Sequence, residues 1–477
     1  MAPIAETQPD LSSIEGERPS VLILAHTWPP APWIGAVRPV YLSRQLALHG
    51  WHPIVITVRE ERTANQNSEG IAGAESALVI RTRYLPSPRH VLVSAKHAIR
   101  RLAPLRREKP ADSERSYGLE EDLAFRAPGL KQNLVSLLYA PDEFSGWLPF
   151  ALRAASRALR RYKPQCVIST GPPHTSHLVA LALKHMYRIA WIADLRDPWA
   201  WHDHPPGTHT LWSDHINRRL ESAVVRGASR VVCVAPGVTA EYARRYAAEP
   251  SEKWVTITNG FDRDEFRSLG QIERAERFTI SFVGSLSFQR SPLLLLRALA
   301  ELLSEGTIDR NRVSARFIGD CEYVGRQSLT AIIRKLDLQG VAEVVPLIPR
   351  PQALRELLRS HVLLLIAGSQ RLSISAKLFE YLAAGRPILA ISSEGASAEI
   401  VQRLGVGRVV GPDDLQGAKD AIRHWYREFT STSDTQATCD MPQADGRLEY
   451  DWARLGLRYA ELIRSCATAS QGGTRLP

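Results

Sequence analysis

The stretch Ser373-Ile374-Ser375-Ala376-Lys377-Leu378-Phe379-Glu380-Tyr381-Leu382-Ala383-Ala384-Gly385-Arg386-Pro387 decides the fold. Lys377 and Glu380 stand three apart, so on a helix both charges share one face, while Leu378, Tyr381, Leu382 and Ala384 turn to other sides. Gly385 stops that helix and Pro387 keeps it stopped. The apolar run Ile388 to Ile391 follows. A short helix with one cation and one carboxylate, between a Ser-rich loop (Ser369, Ser373, Ser375) and an apolar run, has the form of a ligand-facing element in an open α/β sheet.

Upstream of it, strand and helix patterns alternate. Phe278 to Val283 reads as a buried strand, followed by the loop Gly284 to Arg290 and a helix from Ser291 to Leu303. After the strand Val313 to Ile318 come a helix from Gly325 to Leu336, a strand Val341 to Pro346, a helix Gln352 to Ser360 and a strand Val362 to Ile366. The first half has the same rhythm. Val21 to Ala25, a loop holding Gly35, a helix from Arg38 to His49 and the strand Pro53 to Val58 form one βαβ unit. Gly35 lets backbone approach a ligand, and Arg38 sets a cation beside the free amides of the helix start. No G-x-G-x-x-G is present, which argues against a dinucleotide fingerprint.

From Trp147 the alternation resumes and delivers His174, after the strand Cys166 to Ser169, and the cluster Asp194-Leu195-Arg196-Asp197 after the strand Ile189 to Ile192. Carboxylates and a guanidinium at the carboxyl end of a buried strand sit where open α/β sheets place their sites; a self-satisfied ion-paired loop is the alternative. The domain expectation is a disordered tail over 1–20 and a first Rossmann-like domain over 21–262, with a basic insertion at about 63–134. A second domain spans 276–430, and a C-terminal helix within 447–466 crosses back to the first.

At 477 residues, 44% hydrophobic and 23% charged, the chain has the composition of a multidomain globular protein and no apolar run long enough to span a bilayer. The polar start lacks a secretory pattern, and five scattered cysteines form no C-x-x-C pair, so a cytosolic setting without disulfides or structural zinc is expected. The net charge of +10 asks for an anionic partner. Nine of the basic residues fall between 81 and 110 against one acid, Glu108. There the apolar spacing from His90 to Arg107 predicts a basic amphipathic helix, read either as a solvated face or as a contact with anionic membrane. Without interleaved aromatics, the pattern argues against nucleic acid.

Four segments together carry a resemblance: Phe282-Val283-Gly284-Ser285-Leu286, Ile257-Thr258-Asn259-Gly260-Phe261-Asp262, Ile192 to Trp199, and Lys377 to Pro387. In their order and spacing the chain resembles the retaining glycosyltransferases of family 4 (glycosyl transferases group 1), and the match runs from Val21 to about Ser465, leaving out the insertion near residues 63–134. The resemblance implies the GT-B fold, an α/β class with two doubly wound Rossmann-like domains facing a central cleft. It also implies transfer of a sugar from a nucleoside diphosphate donor of UDP or GDP type, bound by the second domain, to an acceptor held by the first. Glu380 then falls where the family's carboxylate accepts from the ribose hydroxyls. Gly35, Gly284, Ser285, Arg290, Ser375 and Lys377 fall around the donor, where positive charge stabilises the leaving nucleotide. Arg38 and Asp194 lie on the acceptor side, and Asp197, Arg196 and His174 are the catalytic candidates, Asp197 being the better base. No cofactor and no metal are implied.

Two positions depart from the family's pattern. Ser285 stands where an Arg is common, Arg290 is the nearest match to the family's second cation, and Leu372 replaces the first of two glutamates separated by seven residues, the second being Glu380. These departures leave the donor sugar open. They also motivate two other readings, a catalytically silent nucleotide-sugar-binding or scaffold protein and a nucleotide-sugar epimerase. The leading expectation is a cytoplasmic enzyme, peripheral on the inner face of the plasma membrane, acting on a glycan or a polyprenyl-linked lipid in cell-surface polysaccharide or glycolipid synthesis.

Overall fold

The computed structural model describes residues 18–31, 34–59, 73–85, 140–201, 211–367, 371–431, 436–437 and 445–472. The tail up to residue 17, most of the basic insertion with its His90 to Arg107 helix, and Ser369 lie outside the described residues. No helix among those described is long and apolar enough to cross a membrane.

In the first half, β1 (Ser20–Ala25) leads to α1 (Val37–Leu48), β2 (His52–Val58), β3 (Leu78–Thr82), α2 (Leu148–Tyr162), β4 (Cys166–Gly171) and α3 (Thr175–Tyr187). Then come β5 (Ala190–Leu195), α4 (Leu211–Gly227), β6 (Arg230–Cys233), α5 (Pro236–Arg245) and β7 (Trp254–Thr256). The seven strands pair in the order β3-β2-β1-β4-β5-β6-β7, and every pairing is parallel. Both faces of this sheet are covered, so its central strands are continuous apolar runs rather than alternating ones. Along β1, Leu22 and Leu24 pack with α2 and α3, while Val21 and Ile23 pack on the opposite side with Tyr41 and Leu42 of α1.

The connector is ordered. In α6 (Arg263–Arg267) the Asp262 carboxylate accepts from the Asp264 amide at 3.1 Å, and Phe266 is buried. A short strand β8 (Ile272–Glu273) precedes the second half. There β9 (Phe278–Ser285), α7 (Leu293–Ser304), β10 (Val313–Asp320), a small hairpin of β11 (Tyr323–Val324) and β12 (Gln327–Ser328), α8 (Leu329–Lys335), β13 (Ala342–Val345) and α9 (Arg350–Arg359) follow in turn. Next are β14 (Val362–Ile366), α10 (Ala376–Ala384), β15 (Ile388–Ile391), α11 (Ala396–Arg403), β16 (Gly407–Val410), α12 (Leu415–Ser431), β17 (Gln436–Ala437) and α13 (Trp452–Gly472). The order β13-β10-β9-β14-β15-β16 makes a second doubly wound sheet, with its reversal between β9 and β14.

The helix expected from Gly325 to Leu336 is shorter than its pattern suggests. Gly325 has φ of +63° in the turn of the β11–β12 hairpin, so the helix starts only at Leu329. The C-terminal helix, by contrast, begins at Trp452 and continues to Gly472. Its Trp452, Leu455, Tyr459 and Ile463 pack beside α1 on the first sheet.

α10 is the opening stretch. Leu378, Phe379, Tyr381 and Leu382 are all buried, each removing enough apolar surface to contribute about 1.5–3 kcal/mol. The Tyr381 hydroxyl accepts from the Val283 amide at 3.2 Å and donates to the Leu364 carbonyl at 3.2 Å, tying the helix to both β9 and β14. Gly385 closes it, its backbone N–H donating a hydrogen bond to the Tyr381 carbonyl at 3.2 Å. The charged face of α10 is thereby aimed at the space above the sheet reversal.

Candidate active site

A cleft of about 1120 Å³ lies between the carboxyl ends of the two sheets. Because both sheets are doubly wound, each has its loops diverging at the reversal point, and the crevices face one another. Gly35, Arg38, Arg196, Asp197, Gly284, Ser285, Arg290, Ser375, Lys377 and Glu380 all line it. Asp194 and His174 do not.

The second-domain wall begins with the amino end of α10. Ser375 is its N-cap residue and makes no side-chain capping bond, so the first-turn amides keep their partial positive charge. The Lys377 ammonium lies 4.1 Å from the centre of the Phe282 ring and 3.5 Å from the Ser285 carbonyl. That position requires Gly284, whose φ is +137° and whose missing Cβ leaves the volume the lysine stem fills. Burial, and then the nearby Arg290 guanidinium, lower the Lys377 pKa to about 8. Arg290 itself is exposed on the loop after β9.

Glu380 does not pair with Lys377. Its Oε1 accepts from Arg350 Nη1 at 2.6 Å. Arg350 also donates from Nε and Nη2 to the two oxygens of Glu265, at 2.8 and 3.0 Å, and the Tyr41 hydroxyl donates to Glu265 Oε2 at 2.5 Å. This chain runs from α10 and α9 in the second half through α6 to α1 in the first.

On the first-domain wall, Arg196 binds two loops by donating to the Gly35 carbonyl at 2.7 Å and to the Pro172 carbonyl. Asp197, next to it, is exposed to the cleft. Arg38 borders the cleft, but its guanidinium is spent elsewhere. It grips Asp194 through Nε and Nη2, at 3.0 and 2.8 Å, and donates to the carbonyls of Ile257 and Thr258, at 2.8 and 2.7 Å. Asp194, with 0% of its surface exposed, also accepts from Thr170 at 2.7 Å and Tyr459 at 2.9 Å. Burial alone would raise the Asp194 carboxyl, but the Arg38 guanidinium overrides it and holds the pKa below the usual range. The pair therefore joins α1, β5, the end of β7 and α13 behind the wall. His174 stacks face to face on Trp199, ring centres 4.3 Å apart and planes 2° from parallel, away from the cleft lining.

Sequence reasoning missed several lining residues. His26 packs against Phe144 at 4.3 Å and Trp147 at 5.2 Å, and burial lowers its pKa to about 4, so it is neutral at pH 7. Asp142 accepts from the Thr175 amide and hydroxyl, at 2.8 and 2.6 Å, and from the Phe144 amide at 3.0 Å. Arg350 stands alone between Pro349 and Pro351 at a helix start, a weak signal. Its partners Glu265 and Tyr41 lie 85 and 309 positions away, where no local pattern connects them.

Comparison with known proteins places this geometry. Residues 92–265 match the family described as Glycosyltransferase Family 4, and residues 277–428 match the one described as Glycosyl transferases group 1. D-inositol 3-phosphate glycosyltransferase of Kineococcus radiotolerans is 31% identical over 145 residues, 28% of this chain and 33% of that protein. The enzyme of the same name from Streptomyces scabiei is 27% identical over 186 residues, 37% of this chain and 41% of that protein. The matched stretches thus span less than half the length of these relatives. Among solved structures, sucrose-phosphate synthase from Thermosynechococcus elongatus superposes with a TM-score of 0.59 at 15% identity, over 95% of this chain and 100% of that one. HepE of Anabaena in complex with UDP and glucose gives 0.56 at 14%, over 94% and 100%. With one family match on each sheet and both sheets in the GT-B arrangement, the chain belongs to the family 4, group 1 glycosyltransferases.

Proposed function

We propose that the cleft moves a sugar from a nucleoside diphosphate sugar to a hydroxyl of a glycan or polyprenyl-linked lipid, with retention of anomeric configuration. One observation carries the reading. The amino end of α10, the Lys377 ammonium over Gly284, and the Glu380 carboxylate one turn further on line the same wall. An ammonium beside unfilled helix amides suits a diphosphate, and a carboxylate at that distance along the helix suits a ribose diol. That HepE has been seen with UDP and glucose, on the same fold, supports a donor of this class.

In this reading Lys377, Arg290 and the α10 amides stabilise the negative charge that develops on the departing nucleotide, with Ser285 and Ser375 as neighbouring hydroxyls. Asp197, exposed on the opposite wall, is the candidate base facing an incoming hydroxyl. Arg196 orients the Gly35 and Pro172 loops that frame it. The reading also includes work at the inner face of the plasma membrane, in cell-surface polysaccharide or glycolipid synthesis. The test is purified protein incubated with UDP- and GDP-sugars and with oligosaccharide or polyprenyl-linked acceptors. Acceptor-dependent release of nucleotide, with the product anomer read by NMR, is expected; failure of the protein to bind any nucleoside diphosphate would remove the proposal.

A second reading, a silent nucleotide-sugar-binding relative, is favoured by Leu372. This residue does not line the cleft, and its side chain lies against Gly237 at the start of α5. Nucleotide binding without turnover on any acceptor is its signature, and conversion of donor with no acceptor present would instead indicate an epimerase.

A further inference from the structure

We infer that Arg350 is a positioning residue that orients Glu380 for the nucleotide and links nucleotide affinity to the packing of the first domain. The inference rests on the reading of Glu380 as a ribose-binding carboxylate. Glu380 is half-buried, and among the described residues the side chain that binds its carboxylate is Arg350, at 2.6 Å from Oε1. Nothing on α10 itself holds the carboxylate, since Lys377 turns towards Phe282 and Ser285. Arg350 therefore decides which way the carboxylate plane faces, leaving Oε2 to accept from a ligand hydroxyl.

Arg350 is in turn held from the other half of the molecule. Its Nε and Nη2 form a two-pronged pair with Glu265, whose oxygens lie at 2.8 and 3.0 Å, and a planar guanidinium held at three corners has little freedom to rotate. Glu265 sits on α6, and Tyr41 of α1 donates to it at 2.5 Å while lying 3.3 Å from Arg350 Nη2. Tyr41 belongs to the buried face of α1, far in sequence from the donor wall. The orientation of Glu380 thus depends on α1 and α6 keeping their place against α9. Any nucleotide that uses Glu380 must, by reciprocity, favour the arrangement in which this chain of bonds is closed.

The expected effects follow from the freedom Glu380 would regain. Ordering a glutamate side chain carries a free-energy cost equivalent to roughly a tenfold change in an equilibrium constant. Arg350→Gln should therefore weaken binding of UDP, GDP or ADP, whichever the unmodified protein takes, by about tenfold in calorimetric titration. Arg350→Lys restores a charge without the fork and should recover part of the loss. Tyr41→Phe, which keeps the ring packing, should weaken nucleotide binding by about two- to threefold. The diagnostic is the double variant: once Glu380→Ala is present, adding Arg350→Gln should change affinity no further.

A purely structural arginine would lower the melting temperature and leave nucleotide affinity in the folded protein unchanged. If Glu380→Ala weakens binding but Arg350→Gln does not, or if the two losses simply add, the inference is wrong while the donor-site reading stands. If Glu380→Ala itself leaves binding untouched, the reading of Glu380 fails and takes the inference with it.

Discussion

Replacing Arg38 by Met would remove one partner of a fully buried ion pair and leave the other in place. The Arg38–Asp194 pair has side-chain exposures of 4% and 0%. Breaking such a pair from one side destabilises by about 3–5 kcal/mol, because the remaining charge has neither water nor a counter-ion. The carbonyls of Ile257 and Thr258 would also lose their donor, adding about 1 kcal/mol or more each where water cannot replace it. Against the roughly 5–15 kcal/mol that holds a domain folded, this is a large share. With a urea slope of about 2–3 kcal/mol/M, the unfolding midpoint of the first half should fall by about 2–3 M. Tryptophan fluorescence is a suitable probe, since the Arg38 guanidinium lies 5.6 Å from the centre of the Trp452 ring.

The pH dependence carries the sharper test. In the native protein Asp194 titrates below its unfolded value, so its stabilising contribution is complete above a pH of about 4 and is lost only as pH falls through the lower folded value. Without Arg38 the sign reverses. Burial then raises the Asp194 pKa, the folded variant binds a proton more tightly than the unfolded chain, and the deficit shrinks as pH falls. The variant should be closer to the native protein at pH 5 than at pH 8. A loss below about 1 kcal/mol, or a deficit that is the same at both pH values, would refute the assignment of this pair as a central tie of the fold.

Tyr459→Phe removes a hydroxyl that contacts both Arg38 and Asp194 and should destabilise by about 1–3 kcal/mol in the same urea assay, without reaching the loss seen for Arg38→Met. Lys377→Gln should weaken UDP or GDP binding. In the native protein, affinity should fall as pH rises through about 8, where the free ammonium loses its charge, and this dependence should vanish in the variant when titrated at pH 7 and pH 9. Gly284→Ala places a Cβ where the Lys377 stem lies and at a φ of +137°; about 1–3 kcal/mol of strain should appear as a lower melting temperature, together with weakened nucleotide binding.

The fold class was legible because its signals are local. Buried parallel strands read as apolar runs, and the 3.6-residue period of the helices between them needs no knowledge of contacts. Gly385 and Pro387 marked the end of α10, and that helix does close at Ala384. The hairpin at Gly325 escaped because Leu329, Ile332 and Ile333 continue a helical spacing that starts after the turn. For the site, the residues at strand ends were found by position, and most line the cleft. Their partners were not found. Asp194 read as an acceptor-side carboxylate, with an ion-paired loop as the alternative, because a strand-end acid has the same sequence whether it faces a ligand or an arginine on another helix. His174 likewise carries nothing in its neighbourhood that foretells the stacked Trp199.

Composition and periodicity by themselves determined that the chain is a two-part α/β protein and that Lys377 and Glu380 share a helix face, and the resemblance carried by the four quoted segments pointed to the glycosyltransferases. Only the tertiary structure decided that Glu380 is held by Arg350 and that Arg38 and Asp194 join the first sheet to α13. It also put the Leu372 side chain beside α5 rather than in the cleft. The reason is geometric. A helix or strand period is set by neighbouring dihedral angles, whereas a hydrogen bond between residues 309 positions apart exists only after both sheets have formed and closed on one another.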